Sequence, residues 1–107
     1  MSTPESRLEA MGISLPPPNA AVANYVPFVI SGRQIFISGQ ISNGPDGLVK
    51  GRLGETMDLA EGQEAAKLCA INLIAQMKAA IGSLARVERI VKLGGFVNAA
   101  PDFVEIP

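Results

Sequence analysis

Histidine and tryptophan are absent from this chain, and cysteine and tyrosine occur once each. Without histidine there is no Ser-His-Asp or Cys-His nucleophile pair, no HExxH zinc site and no imidazole for general acid–base chemistry. A single cysteine, Cys69, makes neither an internal disulfide nor a thiolate zinc set, which fits a cytoplasmic protein. No GxxxxGK[ST] run is present, so Walker-type phosphate binding is excluded. There is no lysine-rich stretch, and the formal net charge is −1. With Tyr25 as the only tyrosine, the chain lacks both the basic face and the stacking platforms of a nucleic-acid binder. The uncharged run Leu68 to Met77 contains Asn72 and Gln76 and falls well short of the ~20 residues of a membrane span. Glu5, Arg7 and Glu9 stand where a secretion signal would carry an apolar core.

What is present points to one ordered domain. At 107 residues a single core is the default, and 48% apolar with 18% charged residues is enough to build it. Residues 1–15 predict a short helix, capped by Ser2 or Thr3, with Pro4 in its first turn and Gly12 at its exit. LPPPN (15–19) is an extended connector, so residues 1–20 read as a lead-in and 21–107 as the main domain.

YVPFVIS (25–31) and QIFISGQI (34–41) alternate as strands, and Gly32-Arg33 between them matches a type II′ hairpin turn. Pro27 marks an edge or a bulge. SNGPDG (42–47) reads as a loop and Leu48 to Arg52 as a short third strand. Asp58 and Glu61 form a capping-box pattern in front of a long helix, Leu59 to Ile81, stopped by Gly82. Its predicted buried stripe is Ala66, Ala70, Leu73, Met77 and Ile81, broadened by Leu68, Cys69, Ile71 and Ile74. Residues 86–98 alternate as a strand, with Gly94-Gly95 at a bulge or a close subunit approach. Asn98 to Asp102 then predicts a helix start, with Pro101 in its first turn and Phe103 and Ile106 on one face. That helix has only begun at residue 107, so the fold is expected to continue beyond it.

Several of these features in order resemble the RidA/YjgF family, also described as L-PSP endoribonuclease-like. They are Tyr25 followed thirteen residues later by Ser38-Gly39-Gln40, the GQEAA helix start at Gly62 to Ala66, and the IVK…FV…DF pattern from Ile90 to Phe103. The resemblance implies an α+β two-layer sandwich, a mixed β-sheet with helices packed on one face. It implies a homotrimer with ligand clefts between subunits. It also implies cofactor-free hydrolysis of imines and enamines derived from amino acids, giving a 2-keto acid and ammonia. The partners expected on this basis are a small carboxylate-bearing metabolite and further copies of the chain, with neither nucleic acid nor membrane.

Carried onto this sequence, the cleft residues are Tyr25, Ser38, Gly39, Gln40 and Lys92, with no metal ligands. Catalytic residues are not assigned: the family's carboxylate-clamping arginine and water-placing glutamate fall beyond residue 107, and Arg33, Arg52, Arg86 and Arg89 do not occupy the matching place. A cleft asparagine of deaminating members aligns approximately with Pro107. Plainer readings stand beside these. Ser38-Gly39-Gln40 also fits a strand end, Tyr25 an ordinary strand aromatic, Lys92 a solvated strand lysine, Asn98 a helix cap and Cys69 a core position. Two other functions stay open: a non-catalytic trimeric binding protein for small carboxylic metabolites, and an endoribonuclease or translation inhibitor.

Overall fold

The computed structural model describes residues 2–18, 20 and 24–106; the expectations for Asn19 and Pro107 lie outside them. Helix α1 spans Pro4–Ala10 and helix α2 Leu59–Ile81. Strands β1 (Phe28–Ser31) and β2 (Gln34–Ile37) form one antiparallel pair, and β3 (Asn43–Gly44) and β4 (Gly47–Leu48) a second. This is the expected α+β class.

Both helices begin where their side chains satisfy the free N–H groups of the first turn. Thr3 and Ser6 bond each other's backbone at α1, and Asp58 and Glu61 do the same at α2, with Glu61 N–H donating to Asp58 at 2.8 Å. Gly82 closes α2 at φ 82°, a conformation that suits glycine. In the β1–β2 hairpin Gly32 has φ 59° while Arg33 keeps a negative φ, as a type II′ turn requires. Ser31 pairs with Gln34 and Phe28 with Ile37. The half-buried face, Phe28, Ile35 and Ile37, belongs to the hairpin that packs on α2, while Val29 and Phe36 on the opposite face are exposed.

The core is small. Among the described residues it consists of Leu53, Ala75 and Leu84, with Asn72 and Gln76 also buried. The expected stripe on α2 is therefore rotated: Ala66 and Ala70 are exposed, and the turn carrying Asn72, Ala75 and Gln76 faces inward. Two buried amides hide that face from a reading based on apolar spacing. Gly62 sits where Leu53 crosses the helix, and a Cβ there would come within 2.6 Å of a Leu53 methyl. α1 packs against the 3₁₀ turn that follows α2, where Glu5 accepts the Leu84 N–H at 2.8 Å, and Glu5 also lies 3.8 Å from Lys78 Nζ near the end of α2.

Three local expectations are corrected. Residues 42–48 form a tight hairpin across Pro45-Asp46, and no strand runs from Leu48 to Arg52, because Ser42 and Val49 already pair at the base of that hairpin. Residues 87–98 follow a single 3₁₀ turn (Leu84–Arg86) without forming a strand; among the described residues no backbone pairs with the stretch between Val87 and Asn98. Val91 is 77% exposed, Leu93 74%, and Phe96 fully. The helix expected at Asn98 is also absent. Leu53 N–H donates to Asn98 O and Ala100 N–H to Leu53 O, which draws the chain into a bridge with Leu53. Asn98 is not a cap, since its amide donates to Gly51 O at 3.1 Å.

Candidate functional site

The geometry of Ser38-Gly39-Gln40 follows from Pro27. The β1–β2 register continues one pair beyond Phe28–Ile37, and by alternation Pro27 and Ser38 are a pair that should exchange two backbone bonds. Ser38 N–H donates to Pro27 O at 2.9 Å, but proline has no N–H to return. The side chains make up the difference. Ser38 Oγ adds a second bond to Pro27 O at 3.0 Å, and the Gln40 amide donates to the otherwise unpaired Ser38 carbonyl at 3.2 Å. The hydroxyl and the amide thus finish a strand whose partner residue cannot. Ladder pairing ends there.

Beyond that point the backbone opens. Among the described residues no acceptor takes the N–H of Gly39 or of Gln40. A Cβ at Gly39 would meet nothing within 4 Å, and its φ is not positive. Its use is therefore bare, approachable backbone rather than a special conformation. Two adjacent N–H dipoles on an open strand end can receive a carboxylate. Extending the register would set Tyr25 across from Gln40, and the Tyr25 ring is exposed.

The segment is anchored from below. Asn72, on the buried face of α2, donates through Nδ2 to Ile41 O at 3.0 Å and to Asn43 O at 2.9 Å. Sequence reading misses Asn72. The available signal is a polar residue, followed four positions later by Gln76, in the middle of an apolar helix.

The other expected groups are not gathered here. Lys92 lies exposed on the unpaired 87–98 chain, and no hydrogen bond joins it to Ser38, Gly39 or Gln40. Arg33 pairs with Glu88 at 3.3 Å, Arg52 with Glu55 at 3.0 Å, and Arg86 donates to Ile81 O. Cys69 is half-buried, and burial pushes its thiol pKa up, which keeps it protonated rather than nucleophilic. Two clefts, of about 870 and 490 Å³, lie along α2 where the Gly12–Pro16 stretch passes; neither includes Ser38, Gly39 or Gln40. Among the described residues no group of three or more His, Cys, Asp or Glu could hold a metal ion, and no helix is long and apolar enough to cross a membrane.

Two small antiparallel hairpins and a long capped helix make up a YjgF-type α+β domain. The chain belongs to the family described as "YjgF/chorismate mutase-like, putative endoribonuclease", which it matches over residues 5–107. It is 46% identical over 101 residues to protein TCP17 of Trypanosoma cruzi, covering 94% of this chain and 63% of that protein. A crystal structure of a protein of unknown function from Agrobacterium tumefaciens superposes with TM-score 0.83 at 46% identity, over 94% of this chain and 63% of that one. The crystal structure of a "putative endoribonuclease" from Shewanella oneidensis superposes with TM-score 0.79 at 43% identity, over 83% of this chain and 60% of that one. The chain therefore spans somewhat under two thirds of the length of these relatives.

Proposed function

We propose that the full-length protein binds a small carboxylate-bearing metabolite at the β2 strand end and hydrolyses imines or enamines of amino-acid origin. The observation that carries this is the pair of open N–H groups at Gly39 and Gln40, on a strand end left approachable by the glycine. The hairpin end is suited to hold the substrate carboxylate. Water then adds to the C=N carbon: its oxygen forms the new C–O bond, the π pair moves to nitrogen, and a water proton follows it. The carbinolamine hydroxyl proton then passes to nitrogen as the C–N bond breaks and the C=O forms, releasing ammonia and a 2-keto acid; an enamine enters after tautomerising to the imine, its carbon gaining the proton that its nitrogen loses. Such a reaction draws on positioning and oriented dipoles, which this site offers without histidine.

The exposed apolar residues on two regions, Val29 and Phe36 on the hairpin and Val91, Leu93 and Phe96 beyond it, support burial between subunits. A homotrimer with the cleft at the subunit boundary accommodates them. Ammonia release from an amino-acid-derived enamine generated in situ tests the reading. Full-length protein should accelerate release, and Gln40→Ala should slow it. Release at the buffer rate, with tight 2-keto acid binding retained, would leave a binding protein instead. Cleavage of single-stranded RNA without ammonia release would favour the endoribonuclease description of the relatives.

A further inference from the structure

We infer that Asn72 is a positioning residue for this site: its side chain fixes the backbone that presents the Gly39 and Gln40 N–H groups. The inference rests on the reading proposed above and extends it to a residue inside the helix. Asn72 is 3% exposed and lies on the turn of α2 beneath the junction of the two hairpins. Its Nδ2 uses both hydrogens, one on Ile41 O and one on Asn43 O. Those carbonyls bracket the sharpest turn in the region, because Asn43 N–H also donates to Ile41 O at 2.8 Å, closing a three-residue turn. Within that turn Ser42 O accepts Val49 N–H at 2.9 Å, which ties it to the second hairpin.

The segment from Gly39 to Asn43 is therefore held at three points. Ser38 is bonded to Pro27, Ser42 is paired with Val49, and Asn72 grips the carbonyls on either side of Ser42. Only the Asn72 contacts come from outside the hairpins. A two-hydrogen amide at the centre of two converging carbonyls is a geometry that no apolar side chain, and no carboxylate, reproduces. Loss of the amide leaves Asn43 O without its donor and Ile41 O with only the Asn43 N–H, and it removes the link between the turn and α2. The Gly39 and Gln40 N–H groups, one and two residues upstream of Ile41, then lose their fixed direction.

Full-length protein carrying Asn72→Ala or Asn72→Ser is compared with wild type for 2-ketobutyrate binding by calorimetry, and for amide exchange at Gly39–Asn43 and at β1–β2 by NMR. Leu68→Ala, which removes packing against Gly44 from the same helix, serves as the control for general destabilisation. Wild type should bind. Asn72→Ala should weaken binding at least tenfold and speed exchange at residues 39–43 while β1–β2 stays protected. Asn72→Ser, retaining a single donor, should fall between. Leu68→Ala should melt earlier with affinity nearly unchanged. If wild type binds and the Asn72 variants bind equally well, Asn72 is a fold element only and the inference is overturned. It is overturned equally if Leu68→Ala weakens binding as much as Asn72→Ser at equal loss of stability. Should wild type itself fail to bind, the site reading falls, and the inference with it.

Discussion

Helix α2 and residues 87–98 are both rich in apolar side chains, and both carry a regular sequence pattern, yet only one becomes an element. α2 satisfies its own backbone through i to i−4 bonds and needs cover only on the face of Asn72, Ala75 and Gln76. A strand cannot do this, since each N–H and C=O along one edge requires a neighbouring chain. Before Asn98, whose carbonyl meets Leu53, the segment finds none among the described residues, and it remains exposed from Glu88 to Asn98. Periodicity thus specifies a helix nearly alone, whereas it specifies a strand only together with a partner.

The contrast is best sharpened by substitutions on its two sides. The largest loss is expected at Leu53, buried between α2 and the Asn98–Ala100 bridge. Leu53→Ala should cost about 2–4 kcal/mol in denaturant unfolding. At the start of α2, Asp58→Ala removes half of the capping box and should cost about 1 kcal/mol, with helix content by circular dichroism largely kept. Gln40→Ala, leaving the Ser38 carbonyl to solvent, should cost about 0.5–1 kcal/mol by the same unfolding measurement.

Much of the fold is legible in the sequence because it is local. Thr3, Asp58, Gly32 and Gly82 act within a few residues of themselves, and their signals mark both helices and the first hairpin correctly. The errors concern long-range relations. Asn98 reads as a cap but bonds Gly51, far away in sequence. The short β3–β4 hairpin reads as a loop because Ser42–Val49 pairing is set by tertiary context. Of the site, the Ser38-Gly39-Gln40 signal is visible, but its reason is not. Pro27 lies eleven residues away from Ser38, and only the hairpin register shows that its missing N–H calls for the two side chains. Asn72 carries no local signal beyond its polarity.

A smaller effect is expected with pH. The Leu84 N–H donating to Glu5, assisted by Lys78, holds that carboxyl below the ordinary carboxylate range. A group depressed on folding stabilises above its unfolded value, about 4.3, and loses that contribution as pH falls through the folded value. Wild type should therefore lose melting temperature below about pH 4.3 more steeply than Glu5→Gln, while the two curves run parallel at neutral pH. Smallest of all is Phe96→Ser. On the unpaired chain it should change the unfolding free energy of the 107-residue chain by less than ~0.5 kcal/mol. A core-sized loss there would show that residues 87–98 are packed after all.

The central claim is that the open N–H groups at the end of β2 receive a carboxylate. The most direct measurement is a titration of ¹⁵N-labelled full-length protein with 2-ketobutyrate, following each backbone amide by NMR. Gly39 and Gln40 should shift first and furthest, with saturable downfield movement, while amides along α1 stay in place. Shifts confined to the clefts beside α2, with Gly39 and Gln40 unmoved at saturation, would contradict it.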